Sequence, residues 1–235
     1  SNLVFWLEPT YKESFLDSES EDGAFITKWF DINPQANIKN TVSRGTSNAR
    51  ISYKLKAINN LPAVYFDGTT STQSLSGTVI FPKNNNYTLF VVSKLAEAGS
   101  SSTARSPFYN GISSSNGFGY YKTTTGSRAF LYGSVTTGAA TTATTNPEIA
   151  ILMWNGTTNT LTINGASQSF SNGSTSAPFP PTSAGALYIG NTSDGTGEPW
   201  YGYISEVILF DRALNTTEVT NIKTYLSKKY GIVVS

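Results

Sequence analysis

Tyr201-Gly-Tyr-Ile-Ser-Glu-Val-Ile-Leu-Phe-Asp-Arg-Ala-Leu-Asn215 holds two elements and the turn between them. Tyr201 to Phe210 has the make-up of a strand, rich in Tyr, Val, Ile, Leu and Phe. A strand with one face in water alternates apolar and polar residues. Val207-Ile-Leu-Phe210 does not, so this strand is expected to be covered on both faces. Ile204, Glu206 and Ile208 are expected to share one face of it. Asp211 to Leu214 reads as a turn. Asn215-Thr-Thr-Glu218 then reads as a helix N-cap with its capping-box partner. Val219, Ile222 and Leu226 follow at helical spacing. Lys228 and Lys229 sit where the helix dipole favours cations, and Gly231 is placed to end the helix.

Outward from this segment, short strands separated by polar loops fill the chain. Leu3 to Leu7, Ala63 to Phe66, Tyr87 to Val92 and Ala186 to Asn191 have strand composition. Glu148 to Trp154, Asn155-Gly-Thr-Thr-Asn159 and Thr160 to Asn164 make a hairpin, and Asn164-Gly165 makes a second turn. Three aromatic strands occupy the middle: Pro107-Phe-Tyr109, Phe118-Gly-Tyr-Tyr121 and Ala129-Phe-Leu-Tyr132. By alternation Phe118 and Tyr120 share one face, and Gly119 and Tyr121 the other. Thr136 to Asn146 is uncharged and low in complexity, and reads as a long loop.

Composition narrows the function. With 235 residues and 38% hydrophobic content, and with Ser, Thr, Asn and Gly abundant, the chain suits one all-β domain over residues 1–235. A chain of this size buries about 70% of its unfolded surface. Net charge is +1 with no basic run, which argues against nucleic acid. No apolar stretch reaches membrane-spanning length. The chain has no Cys and no His, which removes Cys nucleophiles, Ser-His-Asp triads and the usual zinc sites. The opening Ser1-Asn2 suggests a module of a larger multidomain protein.

The closing segment resembles the C-terminal signature of laminin-G-like, concanavalin A-like domains, in their bacterial and phage branch. The matching positions are Gly202, Ile204, Glu206, Val207, Asp211, Arg212, Leu214, Glu218, Tyr225, Leu226, Lys229, Tyr230, Gly231 and Ile232. Phe5-Trp-Leu-Glu8, Trp29-Phe-Asp31 and Leu61-Pro-Ala-Val-Tyr-Phe-Asp-Gly68 resemble further elements of that branch, so the likeness spans almost the whole chain. It implies a two-sheet antiparallel β-sandwich, a jelly roll with one short C-terminal helix. It also implies a first strand lying near the last.

Two regions are candidate ligand sites. Tyr109, Tyr120, Tyr121 and Tyr132 offer rings with polar tips, which suit the apolar C–H faces of sugars. The alternative for each is ordinary core packing. The loop Asn191-Thr-Ser-Asp-Gly-Thr-Gly-Glu-Pro-Trp200 offers Asn191, Asp194 and Glu198 as hydroxyl partners and Trp200 as a stacking plate. Asp194-Gly195 also reads as a plain turn, with Trp200 packing on the closing strand. Asp194 and Glu198 are the candidate calcium ligands, calcium being the expected ion for oxygen donors. The acidic run Asp17 to Asp22 is a second calcium candidate or a solvated loop. Retaining glycoside hydrolysis needs paired carboxylates about 5–5.5 Å apart, and no strand carries alternating acids. The resemblance, helped by these missing catalytic groups, implies a non-catalytic glycan- or polysaccharide-binding or adhesion module of an extracellular, cell-surface or virion protein. A structural or protein-docking domain is the first rival, and a hydrolase or lyase the second.

Overall fold

The computed structural model describes residues 2–45, 50–68, 73–79, 86–96, 104–111, 117–123, 128–132, 135–139, 144–172, 185–192 and 197–235. In chain order the strands are β1 Leu3–Leu7, β2 Lys28–Trp29, β3 Val42–Arg44, β4 Ile51–Ile58, β5 Leu61–Asp67, β6 Leu75–Val79, β7 Tyr87–Leu95, β8 Ala104–Gly111 and β9 Gly117–Thr123. They continue as β10 Arg128–Tyr132, β11 Val135–Ala139, β12 Glu148–Trp154, β13 Asn159–Ile163, β14 Ala166–Ser167, β15 Phe170–Asn172, β16 Gly185–Ile189 and β17 Tyr201–Phe210. Helix α1, Thr216–Tyr230, closes the chain. Every pairing is antiparallel. The first sheet runs β14-β13-β12-β7-β17-β5-β4 with β1 also on β17, and the second runs β15-β11-β10-β9-β8-β16-β6-β3-β2.

Strand β17 is central to the first sheet. One side pairs with β7 throughout. The other pairs with β5 over Tyr201 to Ile204 and then with β1 over Val207 to Phe210. A bulge at Ser205 marks the change of partner. It shifts the alternation by one residue, as bulges do. Ile204, Val207 and Leu209 therefore enter the core between the sheets, while Ile208 joins the cluster under α1. The expectation that Ile204 and Glu206 share a face is corrected by this extra residue.

Both faces of the first sheet are covered, as the unbroken Val207 to Phe210 run requires. Phe5, Leu89, Leu152 and Leu209 pack inward with Phe108, Phe118 and Leu187 of the second sheet. Phe90, Val92, Ile149 and Ile151 pack outward with Leu226 and Tyr230 of α1. Burying each such side chain contributes about 1.5–3 kcal/mol. The helix starts as its sequence indicates. The Asn215 side chain accepts from the Glu218 amide at 3.0 Å, and the Glu218 carboxylate accepts from the Asn215 amide at 3.0 Å. It ends at Gly231 with φ 62°, and the Ile232 amide donates to the Ser227 carbonyl. Asn164 and Gly165 both take positive φ, which gives the tight turn joining β13 to β14.

The loop expected over Thr136 to Asn146 is in part a strand. Residues 135–139 form β11, paired with β10 and β15. β-branched threonines suit a pleated sheet, and pairing on both sides overrides low complexity.

Candidate functional site

The outer face of the second sheet gathers tyrosines by register. Ser43 lies opposite Ser76, Ser76 opposite Tyr188, Tyr188 opposite Tyr109, and Tyr109 opposite Gly119. Their neighbours Phe108, Leu187 and Ile189 are buried in the core, so alternation turns Tyr109 and Tyr188 outward. Tyr121, two residues beyond Gly119, shares that face. A side chain at residue 119 would run into the Phe108 carbonyl and the Tyr109 ring, so glycine is what lets that ring lie close over β9.

The segment 197–200 adds a carboxylate to this face. The Glu198 carbonyl accepts from the Ser106 amide at 2.9 Å, and its amide donates to Thr192 Oγ1 at 3.2 Å. The Trp200 amide donates to the Gly190 carbonyl at 2.8 Å, and the Gly190 amide to the Pro107 carbonyl at 3.0 Å. Ser106 and Pro107 sit in the register shift of β8, which opens the backbone groups that hold this segment. Among the described residues no donor bonds the Glu198 carboxylate.

Burial raises the Glu198 carboxyl above the usual carboxylate range. Burial, then Glu198, then Tyr188 push Tyr109 up to about 12. Burial and then Glu198 raise Tyr121. The Tyr109 and Tyr121 phenols therefore stay protonated, with Tyr109 buried at 2% exposure and Tyr121, Tyr188 and Glu198 half-buried.

Of the residues singled out in the sequence, Tyr109, Tyr121 and Glu198 come together here. Trp200 does not: it is fully buried and is corrected from stacking plate to core residue. Its ring lies 4.9 Å from the Lys122 ammonium, which pairs with Glu148 at 2.9 Å with both side chains buried between the sheets. Asn191 is likewise fully buried and bonds within the fold, so it offers nothing to a ligand. Tyr120 lies in register opposite Phe108, and Tyr132 opposite Phe118; their side chains, like all of Asp194, lie outside the described residues. Tyr188 was missed. It is the polar-tipped residue between Leu187 and Ile189, and that alternation marks it as outward-facing.

Calcium would have to be held through Glu198 here. Among the described residues no three His, Cys, Asp or Glu side chains form a cluster. In the acidic run, Glu19 is turned inward, where its carboxylate accepts from the Thr27 amide at 3.1 Å and from the Thr27 hydroxyl.

A second carboxylate, Glu206, is fully occupied. It accepts from Trp6 Nε1 at 2.7 Å, the Tyr225 hydroxyl at 3.2 Å, the Tyr230 hydroxyl at 2.9 Å and Lys229 Nζ at 2.9 Å. Lys229 also pairs with Glu8 at 2.7 Å. Burial raises the Glu206 carboxyl, with the charge of Lys229 acting against it. Burial alone would lower Lys229, but the Glu206 charge and the bonds to Glu8, Tyr225 and Glu206 outweigh it and raise it. This network ties β1, β17 and α1 together.

Residues 66–220 match a laminin-G family model described as the concanavalin A-like lectin/glucanases superfamily. No curated protein sequence matches the chain. Among solved structures, Trypanosoma rangeli sialidase in complex with sialic acid aligns with a TM-score of 0.62 at 14% identity, over 100% of this chain and 34% of that one. The chain thus spans about a third of the sialidases it matches. Domain 4 of AbnA, a GH43 extracellular arabinanase from Geobacillus stearothermophilus in complex with arabinotriose, aligns with a TM-score of 0.59 at 13% identity over 94% of this chain and 98% of that one. The CBM40 of Ruminococcus gnavus IT-sialidase, bound to α2,3-sialyllactose, aligns with a TM-score of 0.50 at 14% identity over 68% and 95%. These likenesses are of fold. The family match covers more than half of the sequence and agrees with the two antiparallel sheets, so the chain belongs to the concanavalin A-like lectin/glucanase superfamily.

Proposed function

We propose that this domain is a non-catalytic glycan-binding module whose ligand lies on the outer face of the second sheet, against Tyr121, Tyr188 and Glu198, with the buried Tyr109 beneath them. The observation that carries this reading is the open Glu198 carboxylate among neutral phenols. A carboxylate accepts bonds from two neighbouring sugar hydroxyls, phenols donate to ring and hydroxyl oxygens, and half-buried rings take the C–H face of a sugar. The site's one described acid favours neutral glycans over sialylated or uronic ones. Retaining hydrolysis would need a second carboxylate at about 5–5.5 Å from it, and none is seen there among the described residues. The arabinanase domain and the CBM40, matched over nearly their whole length and each bound to an oligosaccharide, support a module role. The module would serve adhesion within a larger extracellular, cell-surface or virion protein. Surface labelling of the intact parent protein tests that placement, and labelling only after lysis would sink it.

The test of binding is a broad glycan and polysaccharide array, with calcium and with chelator. A neutral glycan retained by wild type and lost on Tyr121→Ala or Glu198→Gln is the expected result. Retention of every hit in both variants would move the site elsewhere. No hit at all would favour a docking domain, and reducing ends released from a bound polysaccharide would restore the enzyme.

A further inference from the structure

A cleft of ≈ 410 Å³ lies where the segment after β2 runs along β1. Its volume falls within the few hundred Å³ usual for small-molecule sites. Trp6, Tyr11, Ile32 and Pro34 give it apolar walls, and Glu13 and Lys39 are its exposed charged groups.

The walls are fixed by the backbone. The Trp6 amide donates to Asp31 Oδ1 at 2.9 Å, and the Ile32 amide donates to the Trp6 carbonyl at 2.9 Å. Asp31, also a lining residue, takes the Asn33 and Asn40 amides as well, at 2.8 and 3.0 Å, so it is committed to the frame. On the facing side the Phe30 amide donates to the Ser14 carbonyl at 2.9 Å, and the Ser14 hydroxyl bonds the Glu8 carbonyl. The Trp6 ring is held from behind: its Nε1 donates to Glu206, and Tyr225 meets it edge-on at 6.4 Å and 88°. A plate whose rotamer is already fixed loses little entropy on stacking a ligand.

We propose that this cleft is a second carbohydrate site, specific for an N-acetylated amino sugar. The one hydroxyl that a bare hexose carries in place of the acetamido group would face the apolar walls without a partner, which is costly. An acetamido sugar places a methyl group there instead. Its amide N–H and a ring hydroxyl suit the Glu13 carboxylate, and its amide carbonyl suits the Lys39 ammonium. Lys39 already donates to the Asn33 carbonyl and has further N–H groups to give. The pyranose C–H face lies on Trp6, with Tyr11 across from it. This site stands apart from the tyrosine face of the second sheet and does not depend on it.

Tryptophan fluorescence separates the two sites. Trp6 is the half-buried indole, while Trp29, Trp154 and Trp200 are 4% exposed or less. The experiment titrates the whole domain with N,N′-diacetylchitobiose and with cellobiose, reading tryptophan emission and calorimetric heat. The diacetylated sugar is expected to give a saturable emission change, and cellobiose to bind at least about tenfold more weakly. Glu13→Gln and Tyr11→Ala, both at exposed positions, each weaken the diacetylated sugar by about tenfold with an unchanged melting temperature. Tyr121→Ala leaves it bound as in wild type. Neither emission change nor heat, equal binding of cellobiose, wild-type affinity in both cleft variants, or loss of binding in Tyr121→Ala would each overturn the proposal.

Discussion

Glu206 and Glu198 both come from the closing segment, both are shielded from water, and both sit beside tyrosines. Glu206 meets Tyr225, Tyr230, Trp6 and Lys229, and every one of those groups bonds it. Glu198 meets Tyr109 and Tyr121, which feel its charge, while no described donor bonds its carboxylate. The difference lies in what surrounds the backbone. Glu206 follows a bulge that turns it under a helix carrying a cation and two phenols. Among the described residues Glu198 is held through its backbone, and no donor bonds its carboxylate. One glutamate is therefore a fastening, and the other is the proposed acceptor.

The largest expected effect breaks the fastening. Glu206→Ala leaves Lys229 with Glu8 and the Tyr225 hydroxyl and strands the Trp6 and Tyr230 donors. Removing one member of a buried pair costs about 3–5 kcal/mol, so the midpoint of chemical denaturation should fall sharply. Glycan binding on the tyrosine face of the second sheet, by the fraction that stays folded, should not change. A midpoint close to wild type would show that the network contributes little and would dissolve the contrast.

Next comes the acceptor. Glu198→Gln and Tyr121→Ala should each weaken a glycan found on the array by roughly tenfold or more, with melting temperature held. A variant that loses stability and keeps affinity would reverse the assignment of roles.

Acidity sharpens the comparison further. Burial raises the Glu198 carboxyl, so it takes up its proton at a higher pH than an exposed glutamate. Its acceptor function is present above that raised pKa and is lost as pH falls through it. Affinity measured from neutral to mildly acidic pH should drop before the fold melts, and the drop should vanish in Glu198→Gln. Flat affinity across that range would remove Glu198 from the site.

A smaller effect belongs to Glu218, held down to about 2 by the Arg212 side chain first and the Asn215 amide second. Because the folded pKa is depressed, its stabilisation is complete above the ordinary value of 4.5 and is lost as pH falls toward about 2. The stability gap between wild type and Glu218→Gln should close over that window. This pair is solvent-exposed, so the gap is small even at neutral pH.

Calcium is expected to move least. Melting curves in chelator and in excess calcium should coincide if Glu198 serves as a hydroxyl acceptor alone. A rise in melting temperature with calcium, lost in Asp194→Asn, would instead assign both acids to an ion.

Much of the architecture was legible in residue order. The capping box at Asn215 and Glu218, the stop at Gly231 and the turn at Asn164-Gly165 are local devices, each complete within a few residues. The unbroken Val207 to Phe210 run announced a strand covered on both faces, and the signature positions gave the sandwich. Alternation through Tyr109, Tyr121 and Tyr188 put them on one kind of face, though only the first two were noticed. The fate of Trp200 was not legible. A tryptophan beside a Gly-rich loop suits a core anchor somewhat better than a stacking plate, and residue order alone does not decide between them. Its burial over Lys122 depends on a strand and a carboxylate, β9 and Glu148, far from it in sequence. The parity of β17 was hidden for the same reason. The bulge at Ser205 falls where β17 changes partner from β5 to β1, and neither partner is written near it. Short-range patterns fix elements and caps because their causes are short-range. Which glutamate is saturated and which meets no described donor depends on groups that come together only when distant strands pair.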